Sequence, residues 1–206
     1  MKVIKKYILS IIIILISGNA QSNEIAAKKW LDTEISNIIE LYRNENIDKK
    51  TKLNAIQNSI NQSFAGNGIA RFVAGNSWTK SNESTQKDFV GLFKEHLYLT
   101  IGTLMEGYSN QTFEIVTAKE DKNQGVYLID MEISHNDQKT LITWRVKESK
   151  DKFYVIDLII ADISLVITKR AEFSSMLKSK SLSEINSLLK VQNAESYQTH
   201  YKSCRL

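Results

Sequence analysis

Residues 153–173, FYVIDLIIADISLVITKRAEF, constrain the fold more than any other stretch, because their periodicity changes halfway along. From Phe153 to Ile160 both alternating sets are apolar and largely β-branched, with Asp157 the one interruption, as in a strand covered on both faces. Ala161-Asp162 ends the run. From Ser164 onward, Leu165, Val166, Lys169, Arg170 and Phe173 fit a helix opening behind a serine cap. A buried strand that feeds a packed helix directly requires a sheet beside it and helices against it, and the remainder of the chain supplies both.

Residues 112–117, 126–134, 140–147 and 153–160 alternate with period two and are separated by short polar turns, which predicts a four-stranded antiparallel meander. With Asn136-Asp137 as a two-residue turn, His135 faces Gln138. Counting back pairs Ile133 with Thr140, Met131 with Ile142, Ile129 with Trp144, and Tyr127 with Val146. That face is apolar in all but one position, while Asp130, Glu132, Thr143, Arg145 and Lys147 occupy the other. The next hairpin stays open: loop length sets either Val155 and Asp157 or Ile156 and Leu158 beside Trp144.

The chain has no proline, so helix limits are read from Gly, Asn, Asp and Ser. Leu31, Ile35, Ile38, Ile39 and Tyr42 mark a first amphipathic helix over residues 24–42. Leu53, Ile56, Ile60 and Phe64 mark a second, for which Gly66-Asn67-Gly68 supplies a C-cap. A short third helix over residues 69–74 ends at Gly75 and is followed by Trp78. Phe89, Phe93, Leu97, Ile101, Leu104 and Tyr108 mark a long helix starting at Ser84 or Thr85. Ser183 and Glu184 open a last helix through Leu188 and Leu189, after which residues 192–206 form a polar tail expected to be mobile. The expected architecture is α+β: a twisted four-stranded antiparallel sheet with helices packed on its apolar face, enclosing a cone-like hydrophobic pocket that is either filled by side chains or holds a ligand.

Lys2, Lys5 and Lys6 precede a short apolar run and Gly18-Asn19-Ala20, the pattern of a secretory leader cleaved near Ala20. The chain then reads as a leader over 1–20, one domain over 21–191 and the tail. The apolar run is too short to span a bilayer, and the single cysteine, Cys204, offers neither an internal disulfide nor an N-terminal lipid site, so export as a soluble protein is expected. The formal charge of +4 overstates basicity, since three of the 27 basic residues and none of the 23 acidic ones leave with the leader. No basic block interleaved with aromatics points to nucleic acid, which is excluded as a partner.

Catalytic signals are sparse. His96, His135 and His200 are isolated, without a second histidine or cysteine at ligand spacing, so no metal is expected. His96 is assigned to the solvated flank of its helix. Asp157 inside an apolar strand is the one candidate base, for a small enzyme acting on a hydrophobic substrate. The plainer reading gives its carboxylate a structural bond to Arg170 or a backbone amide.

IARFVAGNSW (residues 69–78), the ladder Phe89, Phe93, Leu97, Thr100, Leu104 and Tyr108, and Val155-x-Asp157 followed by Ile163-Ser164-Leu165, Arg170 and Phe173 resemble the MlaC family of periplasmic phospholipid-binding proteins, also called toluene-tolerance auxiliary components. Ala161-Asp162 stands where that family usually has Glu-Gly, and Ile101 where a Tyr is common. The resemblance implies a periplasmic shuttle that carries single phospholipids as cargo, with no other cofactor and no catalysis, and so maintains outer-membrane lipid asymmetry. Its implied partners are an outer-membrane lipoprotein complex and an inner-membrane ABC transporter with an MCE-domain subunit. The expected lipid-binding wall runs from Trp78, Phe89, Phe93, Leu97, Ile101 and Leu104 on the helices to Ile129, Met131, Ile142, Trp144 and Val146 on the sheet, and to Ile163 beyond it. A structural envelope protein with a filled cone is the remaining alternative.

Overall fold

The computed structural model describes residues 2–108 and 111–202, with side chains from residue 23 onward. The leader expected over residues 1–20 and the cysteine at 204 lie outside the residues whose side chains are described. Seven helices and five strands follow in the order α1 (Lys2–Arg43), α2 (Lys49–Ser63), α3 (Gly66–Ala74), α4 (Asn76–Thr79), α5 (Glu83–Met105), β1 (Thr112–Glu120), β2 (Val126–His135), β3 (Gln138–Ser149), β4 (Lys152–Ile160), β5 (Ile163–Ser164), α6 (Leu165–Met176) and α7 (Leu182–Tyr201).

The strands form one antiparallel sheet in sequence order, an open meander of five strands rather than four. Its first long hairpin has the expected register: His135 pairs with Gln138, Ile133 with Thr140, Met131 with Ile142, Ile129 with Trp144 and Tyr127 with Val146. Asn136 and Asp137 both take positive φ, the geometry whose twist matches that of the flanking strands. Lys150-Asp151 and Ala161-Asp162 repeat the device, so the sheet turns three times through non-glycine pairs held in the left-handed region. The last of these turns adds β5, and the chain passes from strand to helix by way of this extra two-residue strand. The hairpin left open by the sequence contains a bulge. Val146 pairs with Val155 and Trp144 with Leu158, leaving Ile156 unpaired between them.

Helix α1 lies across β1 and β2. Ala27, Leu31 and Ile35, spaced four apart on one stripe, bury against Ile115, Tyr127, Ile129 and Met131. Trp30 adds a ring contact of 5.8 Å to Phe153. Because β5 is so short, the outer edge of β4 is open at Val155, and the chain between α2 and α3 fills it: Phe64 forms a parallel bridge with Val155, and Ala65 N donates to the Val155 carbonyl at 2.9 Å.

The other helices form a second layer with its own interior. Phe89 and Phe93 of α5 and Phe173 of α6 meet as three rings, each pair 5.7 Å apart. Ile69, Ala70 and Val73 of α3 and Leu182, Ile185 and Leu189 of α7 close around them. Phe64 touches both interiors and joins the two layers.

Several limits differ from expectation for local reasons. Asn82, not Ser84 or Thr85, caps α5 by accepting from Thr85 N at 2.8 Å. Gly66 opens α3 instead of closing α2. Gly75 does end α3, at φ 56, as expected. The polar segment from Gln192 continues α7 to Tyr201. Asn193 there is buried and donates to the Leu92 carbonyl (2.9 Å) and to Glu95 (3.1 Å) of α5. Tyr201 seats against Gly102, where a Cβ would collide with its hydroxyl and with Leu53.

Candidate functional site

The strand-to-helix corner is built on Asp157. Its side chain is 5% exposed. Oδ1 accepts from the backbone N–H groups of Leu158 (2.8 Å) and Val166 (3.1 Å), and Oδ2 accepts from the Ser164 hydroxyl at 2.6 Å. The Arg145 guanidinium stands 3.9 Å away and also reaches Asp121 at 3.5 Å. Ser164 in turn caps α6 by accepting from Ile167 N at 3.1 Å. The carboxylate therefore closes the Ala161-Asp162 turn, accepts from one free amide of the first turn of α6, that of Val166, and holds the Ser164 hydroxyl that accepts from a second, that of Ile167. Both oxygens are engaged in hydrogen bonds that hold the corner together, which is the structural role expected of Asp157. Its partner is not Arg170. That guanidinium lies over the Phe72 ring, 4.4 Å from its centre, and donates to the Phe72 carbonyl, tying α6 to α3.

The residues expected to line one pocket are divided between the two interiors. Ile129, Met131, Ile142 and Val146 are buried on the sheet, with Trp144 half-buried beside them. Phe89 and Phe93 are fully buried in the helical layer, with Trp78 and Leu97 against them. Helix α5 packs on α2, α3 and α7, and it is α1 that covers the sheet, which corrects the expected apposition of the α5 ladder to Trp144. Leu104 is 73% exposed and Ile163 60% exposed, so neither belongs to a packed wall; Ile101 is half-buried. The buried positions near this end of α5 are Leu99 and Gly102, which follow the contact with Tyr201 and Leu53 rather than the ladder.

Cover over the apolar sheet face thins toward the β4–β5 edge. Val146 and Val155 are buried, Trp144 and Leu158 half-buried, and the row Ile142, Ile160, Ile163 runs from buried to exposed toward the β5 edge. On that band the indole Nε1 of Trp144 is inaccessible to solvent and has no acceptor among the described residues. This feature has no sequence signal, since it depends on what surrounds the ring.

Two further concavities are bordered mainly by polar residues. A groove of about 590 Å³ between α5 and α7 is bordered by Thr85, Lys87, Asp88, Glu95, Asn186 and Lys190. A second, of about 410 Å³, surrounds the Asn136-Asp137 turn. None of the expected lining residues borders either. Among the described residues no cluster of His, Cys, Asp and Glu has the arrangement of a metal site, and no helix is long and apolar enough to cross a membrane. His96 is half-buried rather than on a solvated flank. Burial first, and then the Lys169 charge, hold its imidazole below the usual histidine value, against a smaller upward pull from Glu172 and Asn193.

No curated protein matches the chain. A solved structure of a phospholipid-binding protein from Ralstonia solanacearum, in complex with a phospholipid, matches with a TM-score of 0.71 at 16% identity, covering 82% of this chain and 98% of that one. At that identity the likeness establishes the fold. The family model described as MlaC protein matches residues 32–191, from within α1 into α7, and the chain belongs to the MlaC family.

Proposed function

We propose that this protein is an exported carrier of single phospholipids, moving them between an outer-membrane lipoprotein complex and an inner-membrane ABC transporter with an MCE-domain subunit, and so maintaining outer-membrane lipid asymmetry. Family membership and the phospholipid bound by the structural neighbour support this reading. The observation on this chain that carries it is the incompletely covered apolar band of Trp144, Leu158, Ile160 and Ile163. A long acyl chain in water costs on the order of 12 kcal/mol, at about 0.8 kcal/mol per methylene, so transit needs a dry apolar surface of this kind. Trp144 and Ile163 belong to the expected wall, and Leu158 and Ile160 extend it into the band that lipid tails reach first. Ile129 and Val146 lie under α1 and in the packed interior, and support that surface from below.

The leader over residues 1–20 and periplasmic location belong to the same proposal. Intact mass of the exported protein is expected to begin at Gln21. Organic extraction of that protein is expected to release about one phospholipid per chain; a lipid-free extract from cells with normal membranes contradicts the carrier and favours a structural protein with a filled interior.

A further inference from the structure

Trp144 occupies the middle of β3, opposite Ile129 on β2 and Leu158 on β4. Its neighbours on that face are apolar, Met131, Ile142 and Val146, and none of them accepts from the indole. An indole N–H can only donate, and burying it without an acceptor costs free energy that a phenylalanine at the same position avoids. The other buried polar atoms without a partner among the described residues differ in kind. Asn186 and Asn193 have already placed their amide N–H groups on the Thr85 and Leu92 carbonyls and leave only an oxygen. Tyr201 leaves a hydroxyl that can both donate and accept. Trp144 alone among them presents an obligate donor, and it does so inside an apolar band.

We infer that Trp144 Nε1–H donates a hydrogen bond to an ester carbonyl oxygen of the bound glycerophospholipid and sets the depth at which the acyl chains sit. This rests on the carrier reading. The acceptor follows from lipid chemistry and from the position of the ring. Hydrocarbon tails carry no acceptor, and a charged phosphate stays with water because desolvating it is too costly. The ester carbonyls lie between these two regions and are neutral. Trp144 lies at the matching level across the sheet, between the fully buried Ile129 on β2 and the half-buried Leu158 on β4, with the exposed Ile163 farther toward the β5 edge, and its N–H is dry. An amphipathic ring suits such a boundary.

The test uses the full exported protein and two phosphatidylcholines of equal chain length, one diester and one diether, each competing against a fluorescent diester lipid. The wild type is expected to prefer the diester by about five- to tenfold, the range of one neutral hydrogen bond. Trp144→Phe is expected to bind both lipids equally, at the wild-type diether affinity. The indole N–H resonance that disappears in Trp144→Phe is expected to shift when wild type loads the diester and to stay put with the diether. Equal wild-type affinity for the two lipids, or a preference that survives in Trp144→Phe, overturns the inference while leaving the carrier intact. Failure of the wild type to bind either lipid overturns both.

Discussion

Asp157 exemplifies what one residue reveals. A lone carboxylate in an apolar strand is conspicuous in sequence, and its position there made a bond to a backbone amide one of the two readings, which Leu158 and Val166 supply. The Ser164 hydroxyl was not legible, because it depends on a two-residue strand and a left-handed turn that bring it back over the carboxylate. Asp157→Asn replaces a charged acceptor of three hydrogen bonds by a neutral amide, and urea denaturation is expected to show a loss of roughly 2–4 kcal/mol. At matched folded fraction its lipid content is expected to equal wild type; a variant that folds normally and loses a lipid turnover supports catalysis instead. His96 makes a second residue-scale expectation. Burial depresses its folded pKa below the ordinary 6.5, so the unfolded chain binds the proton more readily. Its contribution is intact above about pH 6.5 and is lost as pH falls from there through the depressed folded value. The lowered carboxylates Asp48, Asp130 and Glu184 act only at more acidic pH. His96→Gln is expected to flatten the denaturation midpoint between about pH 7.5 and 5.5, and an unchanged slope there removes the role assigned to His96.

At the scale of elements, periodicity was most informative where turns were shortest. The hairpin at Asn136-Asp137 was readable pair by pair because a two-residue turn fixes register and one face is apolar. The following hairpin was not, because the bulge at Ile156 lets the strand obey one parity near the turn and the other beyond it. The two open alternatives each describe part of β4. Helix limits failed by a residue or two where the cap was an asparagine two residues upstream of Ser84, and the length of α7 was missed because its anchors, Asn193 and Tyr201, are polar residues in a polar segment. The Ala161-Asp162 turn yields a direct expectation. Alanine at φ 48 sits where a Cβ is penalised, so Ala161→Gly relieves that cost, offset in part by added freedom in the unfolded chain. A net gain of about 1 kcal/mol is expected in thermal or urea unfolding, and destabilisation shows that the alanine side chain contributes packing that outweighs its strain.

For the whole molecule, the sequence conveyed the class and order of elements but not which apolar face meets which. Amphipathic stripes on α1 and α5 look equally suited to cover a sheet; α1 does so because α5 is engaged by α2, α3 and α7, a competition no single stripe records. The result is two main interiors joined by Phe64, a smaller cluster of Leu53, Leu99 and Tyr201, and an apolar band that remains half-covered on the sheet. The account rests on that band accepting lipid tails. The most direct measurement is transfer of a fluorescent phospholipid from donor to acceptor vesicles with catalytic amounts of the exported protein, alongside Ile163→Asp. Ile163 is largely exposed, so the substitution is expected to change stability by no more than about 0.5 kcal/mol. The account predicts transfer that rises in proportion to wild-type protein and falls severalfold with Ile163→Asp at unchanged melting temperature. Transfer no faster than the spontaneous rate, or equally fast with a folded Ile163→Asp, would contradict it.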